Sequence, residues 1–191
     1  PGHVIMTIED PVEDQIRGIN HIEISPKSGL TFARGLRTIL RSDPDVLLVG
    51  EIRDEETARI AMQAGMTGHL VLTTVHAHNA ASAIERLKDM GVEPGLLASS
   101  VNCIVAQRLA RRLCTDCREA YWPEDEELES IGLLAQKGTV YLHRSNGCGR
   151  CSGTGFRGRV ALYEVLPVSA EIRRLIDAPT DEIFTAAVRA G

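Results

Sequence analysis

Short continuous runs of apolar residues mark the first part of the chain. Three of them stand out: Val4 to Ile8, Val46 to Val49 and Leu70 to Val75. An apolar run of this length, bounded by turn residues, is typical of a strand that is covered on both faces. The pattern therefore predicts three buried strands of one sheet.

Between and after these runs, apolar residues recur at helical spacing. The segment 30–40 predicts a helix that ends before Pro44, because a proline disfavours helix in the residue before it. Further helices are predicted over Glu55 to Ala64, from the capping residue Asn79 to Gly91, and over about Gly95 to Leu113. Strands that alternate with helices indicate a parallel sheet built from βα units, so the predicted fold class is α/β.

The pattern changes after Leu113, where cysteines and glycines become frequent. Residues 156–166 predict one or two short strands, and two short helices follow. We therefore expect three parts: an α/β core over 1–113, a cysteine-containing segment over 114–166 and C-terminal helices over 167–191. Because the chain opens on a predicted strand and stops on a predicted helix, we also expect a fragment whose last helices are cut short.

The composition is that of a globular protein and narrows the function classes. The chain has 191 residues, of which 43% are hydrophobic and 25% charged, and its formal net charge is −5. This acidity argues against a nucleic-acid partner. No apolar run reaches the length of a membrane span.

Acidic residues cluster at the ends of the predicted strands. Glu9, Asp10 and Glu13 follow the first strand, and Glu51 follows the second. The carboxyl ends of parallel strands are where open α/β sheets bind ligands, and in nucleotide hydrolases acids there hold Mg²⁺ or orient the attacking water. Taken singly, each acid is also explained by a solvated loop or a helix cap. Several together make a metal–phosphate site a hypothesis.

Arginines and histidines flank the same predicted strands. The arginines Arg34, Arg37 and Arg41 share one face of the first predicted helix. Arg53 follows Glu51 by two positions, and His69 and His76 flank the third predicted strand. Guanidinium groups match phosphate oxygens, which makes a nucleotide site one interpretation. A solvated basic face and structural histidines are the alternatives. A phosphate-binding loop of the form G-x-x-x-x-G-K-[ST] does not occur in the sequence.

Four of the five cysteines form two Cys-x-x-Cys pairs, Cys114 with Cys117 and Cys148 with Cys151. Each pair can place two thiolates on one metal, so the two pairs predict a tetrahedral, structural Zn²⁺ site. Disulfides would require an oxidising compartment, and a redox motif would need only one pair. The fifth cysteine, Cys103, lies among apolar residues and is predicted to be a small core residue.

Five segments together resemble the C-terminal motor domain of the ATPases of type II secretion and type IV pilus assembly. MTIEDPVE is similar to the family's aspartate box, DPDVLLVGEIRDEETA to its Walker B segment and TGHLVLTTVHAHNA to its histidine box. QRLARRLCTDC and GCGRCSGTGFRGR resemble its zinc-binding segment. The resemblance implies a RecA-like, mostly parallel sheet with helices on both faces, in a hexameric motor that uses ATP and Mg²⁺.

The resemblance also implies roles for individual residues. It implies that Glu51 activates the attacking water. The aspartate-box acids, Glu9, Asp10 and Glu13, are implied to lie near Mg²⁺ and the γ-phosphate. The histidines His69 and His76 are implied to sense this phosphate. The arginines Arg37, Arg41 and Arg53 are implied to act at the nucleotide site or at a subunit interface. Without a phosphate loop, we expect the chain alone to hydrolyse ATP poorly.

The implied setting follows from the same resemblance. Platform proteins of the inner membrane are the implied partners, which places the motor in the cytoplasm at the inner face of that membrane. The four-cysteine segment is typical of secretion and assembly motors and is absent from pilus-retraction motors, so it favours the former.

Two other classes of protein fit the cysteines but leave the three boxes unexplained. Cys148 to Gly155 fits C-x-x-C-x-G-x-G, the zinc repeat of DnaJ-type chaperones. A zinc-ribbon nucleic-acid binder could use the arginines around the first cysteine pair: Arg108, Arg111, Arg112 and Arg118.

Overall fold

A four-stranded parallel sheet organises the first part of the chain in the computed structural model, which describes residues 2–190. Its strands are β1 (Ile5–Glu9), β2 (Asn20–Glu23), β3 (Val46–Val49) and β4 (Leu70–Thr73), in the order β2-β1-β3-β4. All three strand pairs are parallel. The predicted α/β class is confirmed, and β2 is a strand that the apolar runs did not reveal.

Three helices connect these strands or follow them: α1 (Phe32–Ile39), α2 (Glu55–Met66) and α3 (Ala80–Asp89). Each begins at a polar residue whose side chain accepts a hydrogen bond from the first turn: Thr31, Asp54 and Asn79. Ile8, Leu36, Leu47 and Val49 are fully buried between sheet and helices. The predicted helices over these segments are therefore confirmed.

Strand β4 lies at the edge of the sheet, and one of its faces is open. Leu70 is 56% exposed and Leu72 is 49% exposed, whereas Val71 packs against the core. The prediction of a strand covered on both faces is wrong here, because an apolar run alone does not reveal whether both faces of a strand are covered by other elements.

The predicted long helix from Gly95 to Leu113 is also wrong. Helix α4 covers only Pro94–Ser100, and the chain continues as strand β5 (Cys103–Leu113), which pairs with β8 (Phe156–Pro167). Long-range pairing decides the structure of this segment, although its Ala, Leu and Arg content favours a helix. Cys103 is exposed on this strand, so the prediction that it is a core residue is wrong as well.

The rest of the chain contains short elements. These are β6 (Glu119–Tyr121), α5 (Asp125–Ser130), β7 (Leu142–Arg144), α6 (Ala170–Leu175) and α7 (Thr180–Ala190), with β6 antiparallel to β7. Short 3₁₀ turns occur at Pro26–Ser28, Leu40–Ser42, Leu134–Gln136 and Gly149–Cys151. None of the helices within residues 2–190 is both long and apolar enough to cross a membrane.

The chain divides into two compact units. The first contains the residues up to Ala106 together with those from Glu164 onward, and the second is Gln107–Tyr163. The predicted divisions after residues 113 and 166 fall near the ends of β5 and β8, each of which runs from one unit into the other. The C-terminal helices group with the first unit, where Ile172, Ile176 and Ile183 are buried.

Candidate active site and metal centre

Glu51 lies two residues after the end of β3, at the carboxyl edge of the parallel sheet. Gly50 allows the ends of β3 and β1 to approach closely: its N–H donates to the Ile8 carbonyl at 2.8 Å, and a Cβ at this position would lie 3.3 Å from the Glu9 Cα. On the other side, the Thr74 hydroxyl donates to the Gly50 carbonyl at 2.6 Å. Hydrogen bonds of the Gly50 N–H and carbonyl thus fix the backbone from which the Glu51 side chain extends.

The Glu51 carboxylate is the centre of a charged group. Arg53 Nη2 lies 2.5 Å from Glu51 Oε1, and Arg53 Nη1 lies 3.4 Å from Asp10 Oδ2. His76 Nε2 lies 3.7 Å from Glu51 Oε2. The Glu51 side chain is only 18% exposed, whereas that of His76 is 94% exposed. The structure therefore brings together four predicted site residues from the segments that follow β1, β3 and β4.

Arg53 also lowers the pKa of Glu51. The hydrogen bond from Arg53 lowers the pKa of Glu51 below its ordinary value, and the positive charge of Arg53 adds to the effect against the opposing influence of burial. Glu51 is thus held as a carboxylate. A carboxylate in this position can accept a proton or orient a water molecule, which is the chemistry expected of a general base.

Glu9 faces a different set of partners. Its Oε1 accepts a hydrogen bond from the Thr7 hydroxyl at 2.5 Å and lies 3.0 Å from His21 Nδ1. The bond from Thr7 lowers the pKa of Glu9, and His21 lowers it further. The Glu9 carboxylate is 14% exposed, so this acid of the aspartate box is directed towards β2.

Four other predicted residues lie outside this charged group. Arg37 pairs with Glu56 on α2 at 2.5 Å. His69 precedes β4, at the amino edge of the sheet, with Nδ1 3.0 Å from the Ala64 carbonyl. The remaining two, Glu13 in the loop after β1 and Arg41 in a 3₁₀ turn, are exposed.

The sequence motifs assign no role to His21. The signal for it was the alternation in Asn20–Glu23 and the residues that follow, where Ile22 and Ile24 contact the core and His21 and Glu23 take the other positions. Period-two alternation is the pattern of a half-buried strand. Reading it would have predicted β2 and placed His21 beside the residues of β1.

The four paired cysteines form a compact cluster within the second unit. Their sulfur atoms all lie within 4.8 Å of one another. The separations are 4.0 Å for Cys114 to Cys148, 3.8 Å for Cys117 to Cys151 and 3.7 Å for Cys148 to Cys151. Four sulfurs at about 2.3 Å from a tetrahedral Zn²⁺ lie about 3.8 Å apart, whereas a disulfide needs about 2.05 Å. The geometry fits a shared metal.

The pKa values of two thiols in this cluster are shifted in opposite directions. Burial opposes ionisation of Cys151, but backbone N–H groups of Cys148 and Gly155, each 3.2 Å from its sulfur, help to lower its pKa to about 6. Burial and the neighbouring thiols raise the pKa of Cys117 to about 12. Several thiolates this close repel one another unless a cation lies between them, so the donor set suits a divalent metal.

Comparison with known sequences assigns a family. The family described as "Type II/IV secretion system protein" matches residues 2–190. The chain belongs to this family. The prediction that rested on the three boxes and the cysteine segment is confirmed.

Individual members of the type II/IV secretion family share about half of their aligned residues with the chain. It is 50% identical over 182 residues to the type II secretion system protein E of Dickeya dadantii, which covers 95% of the chain and 36% of that protein. It is 49% identical over 179 residues to the type IV pilus assembly ATPase PilB of Thermus thermophilus, covering 93% of the chain and 20% of that protein. The chain thus spans about a third or less of these relatives.

A solved structure also matches the chain. The pilus retraction motor PilT with bound ADP aligns with a TM-score of 0.68 and 28% identity, over 96% of the chain and 44% of that protein. This agreement supports the parallel α/β architecture independently of the sequence boxes.

Proposed function

We propose that the chain is the catalytic part of a motor that hydrolyses ATP and powers type II protein secretion or type IV pilus assembly. The observation that carries the proposal is Glu51, an ionised carboxylate at the carboxyl end of a buried parallel strand, grouped with Arg53, Asp10 and His76. The chain is similar over most of its length to PilB, named as a type IV pilus assembly ATPase, which supports the same reaction, and to protein E, whose name supports type II secretion.

In this reaction Glu51 acts on the attacking water. Its carboxylate is fixed at the base by Gly50 and Thr74, so it can orient a water molecule or accept its proton without first being ordered. Because Arg53 holds the pKa of Glu51 low, the carboxylate is ready to accept a hydrogen bond at neutral pH.

Arg53 has a second part in the proposal. In the structure its guanidinium bridges Glu51 and Asp10. Phosphate oxygens bind guanidinium groups through the same pair of hydrogen bonds. Arg53 therefore contacts the nucleotide by exchanging one of its carboxylate partners for a phosphate, and this exchange frees Glu51 for water.

Asp10 and Glu13 are the acids that would hold Mg²⁺. Their carboxylates fit a hard cation that takes oxygen ligands. Both residues are exposed, whereas Glu9 already accepts from Thr7 and faces His21. When bound, Mg²⁺ neutralises phosphate charge. His69, Arg37 and Arg41 lie apart from Glu51, so we propose that they act on nucleotide or on a neighbouring subunit only in the assembled motor.

The same proposal covers the metal and the assembly. Cys114, Cys117, Cys148 and Cys151 would bind one Zn²⁺ as a closed structural site. The motor would be a homo-hexamer, active in the cytoplasm at the inner face of the membrane, with platform proteins of the inner membrane as partners and no nucleic acid. Family membership supports these statements. It gives no support to the two alternative interpretations, a chaperone zinc module or a nucleic-acid-binding zinc ribbon, which explain only the cysteines.

ATP turnover tests the proposal. The 191-residue sequence lacks a phosphate-binding loop, so we expect it to hydrolyse ATP poorly. A form extended upstream to the length of the relatives, with such a loop, should hydrolyse ATP. Absence of turnover in the extended form would contradict the proposed function, and equal rates in the two forms would contradict the stated need for the loop.

A further inference from the structure

His21 occupies the middle of a hydrogen-bonded group that the charged cluster around Glu51 does not include. Its side chain, on β2, is 11% exposed. Nδ1 lies 2.9 Å from the Thr7 hydroxyl and 3.0 Å from Glu9 Oε1, both on β1. Nε2 accepts a hydrogen bond from the backbone N–H of Ile16 at 3.1 Å. Both ring nitrogens are thus used, on two different segments of the chain.

These partners determine where the ring carries its proton. The Ile16 N–H can only donate, so Nε2 must be the unprotonated nitrogen. Nδ1 then carries the hydrogen of the neutral ring and donates it to the Glu9 carboxylate. Glu9 also accepts from the Thr7 hydroxyl, so each of the three side chains has a defined role in the group.

The segment that His21 holds is the loop between β1 and β2, residues 10–19. This loop has no helix or strand of its own and is largely exposed. β2 anchors it at two points: His21 accepts from Ile16, and Glu23 Oε2 accepts from the Val12 N–H at 3.2 Å. Exposed irregular segments with few backbone partners open easily, so each anchor matters for the position of the loop.

The loop begins at Asp10, which contacts Arg53 at 3.4 Å, and Arg53 in turn contacts Glu51. Glu9 precedes Asp10 directly. A residue that fixes both Glu9 and the middle of the loop therefore holds Asp10 from both sides.

We infer that His21 is a positioning residue for the candidate active site. By joining Glu9 to the Ile16 amide, it keeps the loop 10–19 in place and with it the Asp10 carboxylate that faces Arg53. This inference rests on the proposed function for its consequence in catalysis, but its structural part stands on the hydrogen bonds of His21 alone.

Two amide substitutions separate the two bonds of the ring. In His21→Asn the side-chain amide falls near the position of Nδ1, so it can still donate to Glu9 but cannot reach Ile16. In His21→Gln the amide falls near Nε2, so its oxygen can accept from Ile16 while the bond to Glu9 is lost. His3→Gln is the matched control, because His3 is exposed on the surface near Asp45.

The first measurement needs no variant and no nucleotide. Nitrogen-15 spectra of the imidazole of His21 in the 191-residue chain should show protonated Nδ1 and unprotonated Nε2. Protonated Nε2 in the neutral ring would overturn the inference. Because this test uses the unchanged chain, it remains decisive even if a variant fails to fold.

The second measurement is hydrogen exchange at the Ile16 amide. His21→Asn should speed exchange at this amide about five- to tenfold, as expected for loss of one hydrogen bond, while His21→Gln and His3→Gln leave it within about twofold. Unchanged exchange in His21→Asn would show that the ring does not hold the loop and would overturn the inference.

The third measurement is ATP turnover by the same variants in the upstream-extended form. His21→Asn should lower kcat about tenfold or more with a smaller change in KM, because small displacements of positioning groups are costly. His21→Gln, which keeps the bond to Ile16 but loses the bond to Glu9, should lower kcat less than His21→Asn. If His21→Asn turns over ATP at the rate of His3→Gln, His21 does not position the site. If the unsubstituted form shows no turnover, the proposed function fails, and the exchange result alone decides whether His21 holds the loop.

Discussion

Removal of the metal from the cysteine cluster should unfold the second unit and spare the first. Within the described residues of Gln107–Tyr163, Leu128 is the only buried aliphatic side chain, and the other buried apolar residues are Cys114 and Cys151. Burying one leucine contributes about 1.5–3 kcal/mol, which is far from enough to order a unit of this size. We therefore predict that its stability comes mainly from a metal bound by the four cysteines.

The free energy expected from Zn²⁺ binding exceeds the entropic cost of closing the loop between the two cysteine pairs. Structural Zn²⁺ contributes about 10–16 kcal/mol in small peptides at neutral pH. Closing the segment between Cys117 and Cys148, about 30 residues, costs about 3 kcal/mol in chain entropy beyond a constant term. Several kcal/mol therefore remain to order the unit. The first unit contains most of the buried core, including Ile8, Leu36 and Leu47, and does not depend on this contribution.

The assay combines metal analysis with hydrogen exchange. Freshly purified protein should contain one equivalent of zinc, and chelation or Cys148→Ser should increase exchange over residues 114–155 while the amides of β1 and β3 stay protected. Cys103→Ser is the matched control, since Cys103 is an exposed thiol outside the cluster and its loss should change neither quantity. Zinc well below one equivalent, disulfides within the cluster, or equal loosening of both units would refute the reasoning.

Two further predictions concern Arg53 and Gly147. Arg53→Gln should raise the pKa of Glu51 towards its ordinary value of about 4.5, measured by carboxyl NMR titration. Because the folded-state pKa is lowered, ionised Glu51 stabilises the folded chain above its ordinary pKa, and this stabilisation is lost as the pH falls through the lowered value. The variant should therefore lose less stability on acidification than the unsubstituted chain. An unchanged titration of Glu51 would contradict the assigned cause. Gly147→Ala should weaken metal binding more than Gly138→Ala in a chelator competition. Both glycines have a positive φ, which costs alanine about 1–2 kcal/mol. Of the two, Gly147 is the one at which an added Cβ would lie 2.6 Å from a backbone oxygen, that of Gly153. Equal losses in the two variants would show that this close approach does not matter.

Much of the α/β core could be predicted because its signals are local. Apolar runs predicted β1, β3 and β4, and Asn79 predicted the start of α3. The position of Glu51 followed from one general property, that a parallel sheet presents the ends of its strands at one edge. The cysteine cluster followed from ligand spacing, which is a chemical requirement of the metal and independent of the fold around it.

The errors arose where distant partners decide the structure. β5 has the composition of a helix, and only its pairing with β8 makes it a strand. β2 is short and half polar, so it has no apolar run to reveal it. The direction of the Glu9 side chain depends on His21, which lies on a neighbouring strand, and spacing within the aspartate box contains no information about that neighbour.

The substitution Glu51→Gln tests most directly whether Glu51 activates water for ATP hydrolysis. The substitution should be made in the upstream-extended form, with Glu55→Gln as the matched control, because Glu55 is an exposed acid that forms an ion pair with Arg59 on its own helix. Nucleotide affinity and turnover are measured separately. Glu51→Gln should bind ATP as the unsubstituted protein does and lose about 10²- to 10⁴-fold in turnover, while Glu55→Gln retains both. Turnover by Glu51→Gln near that of Glu55→Gln would contradict the account.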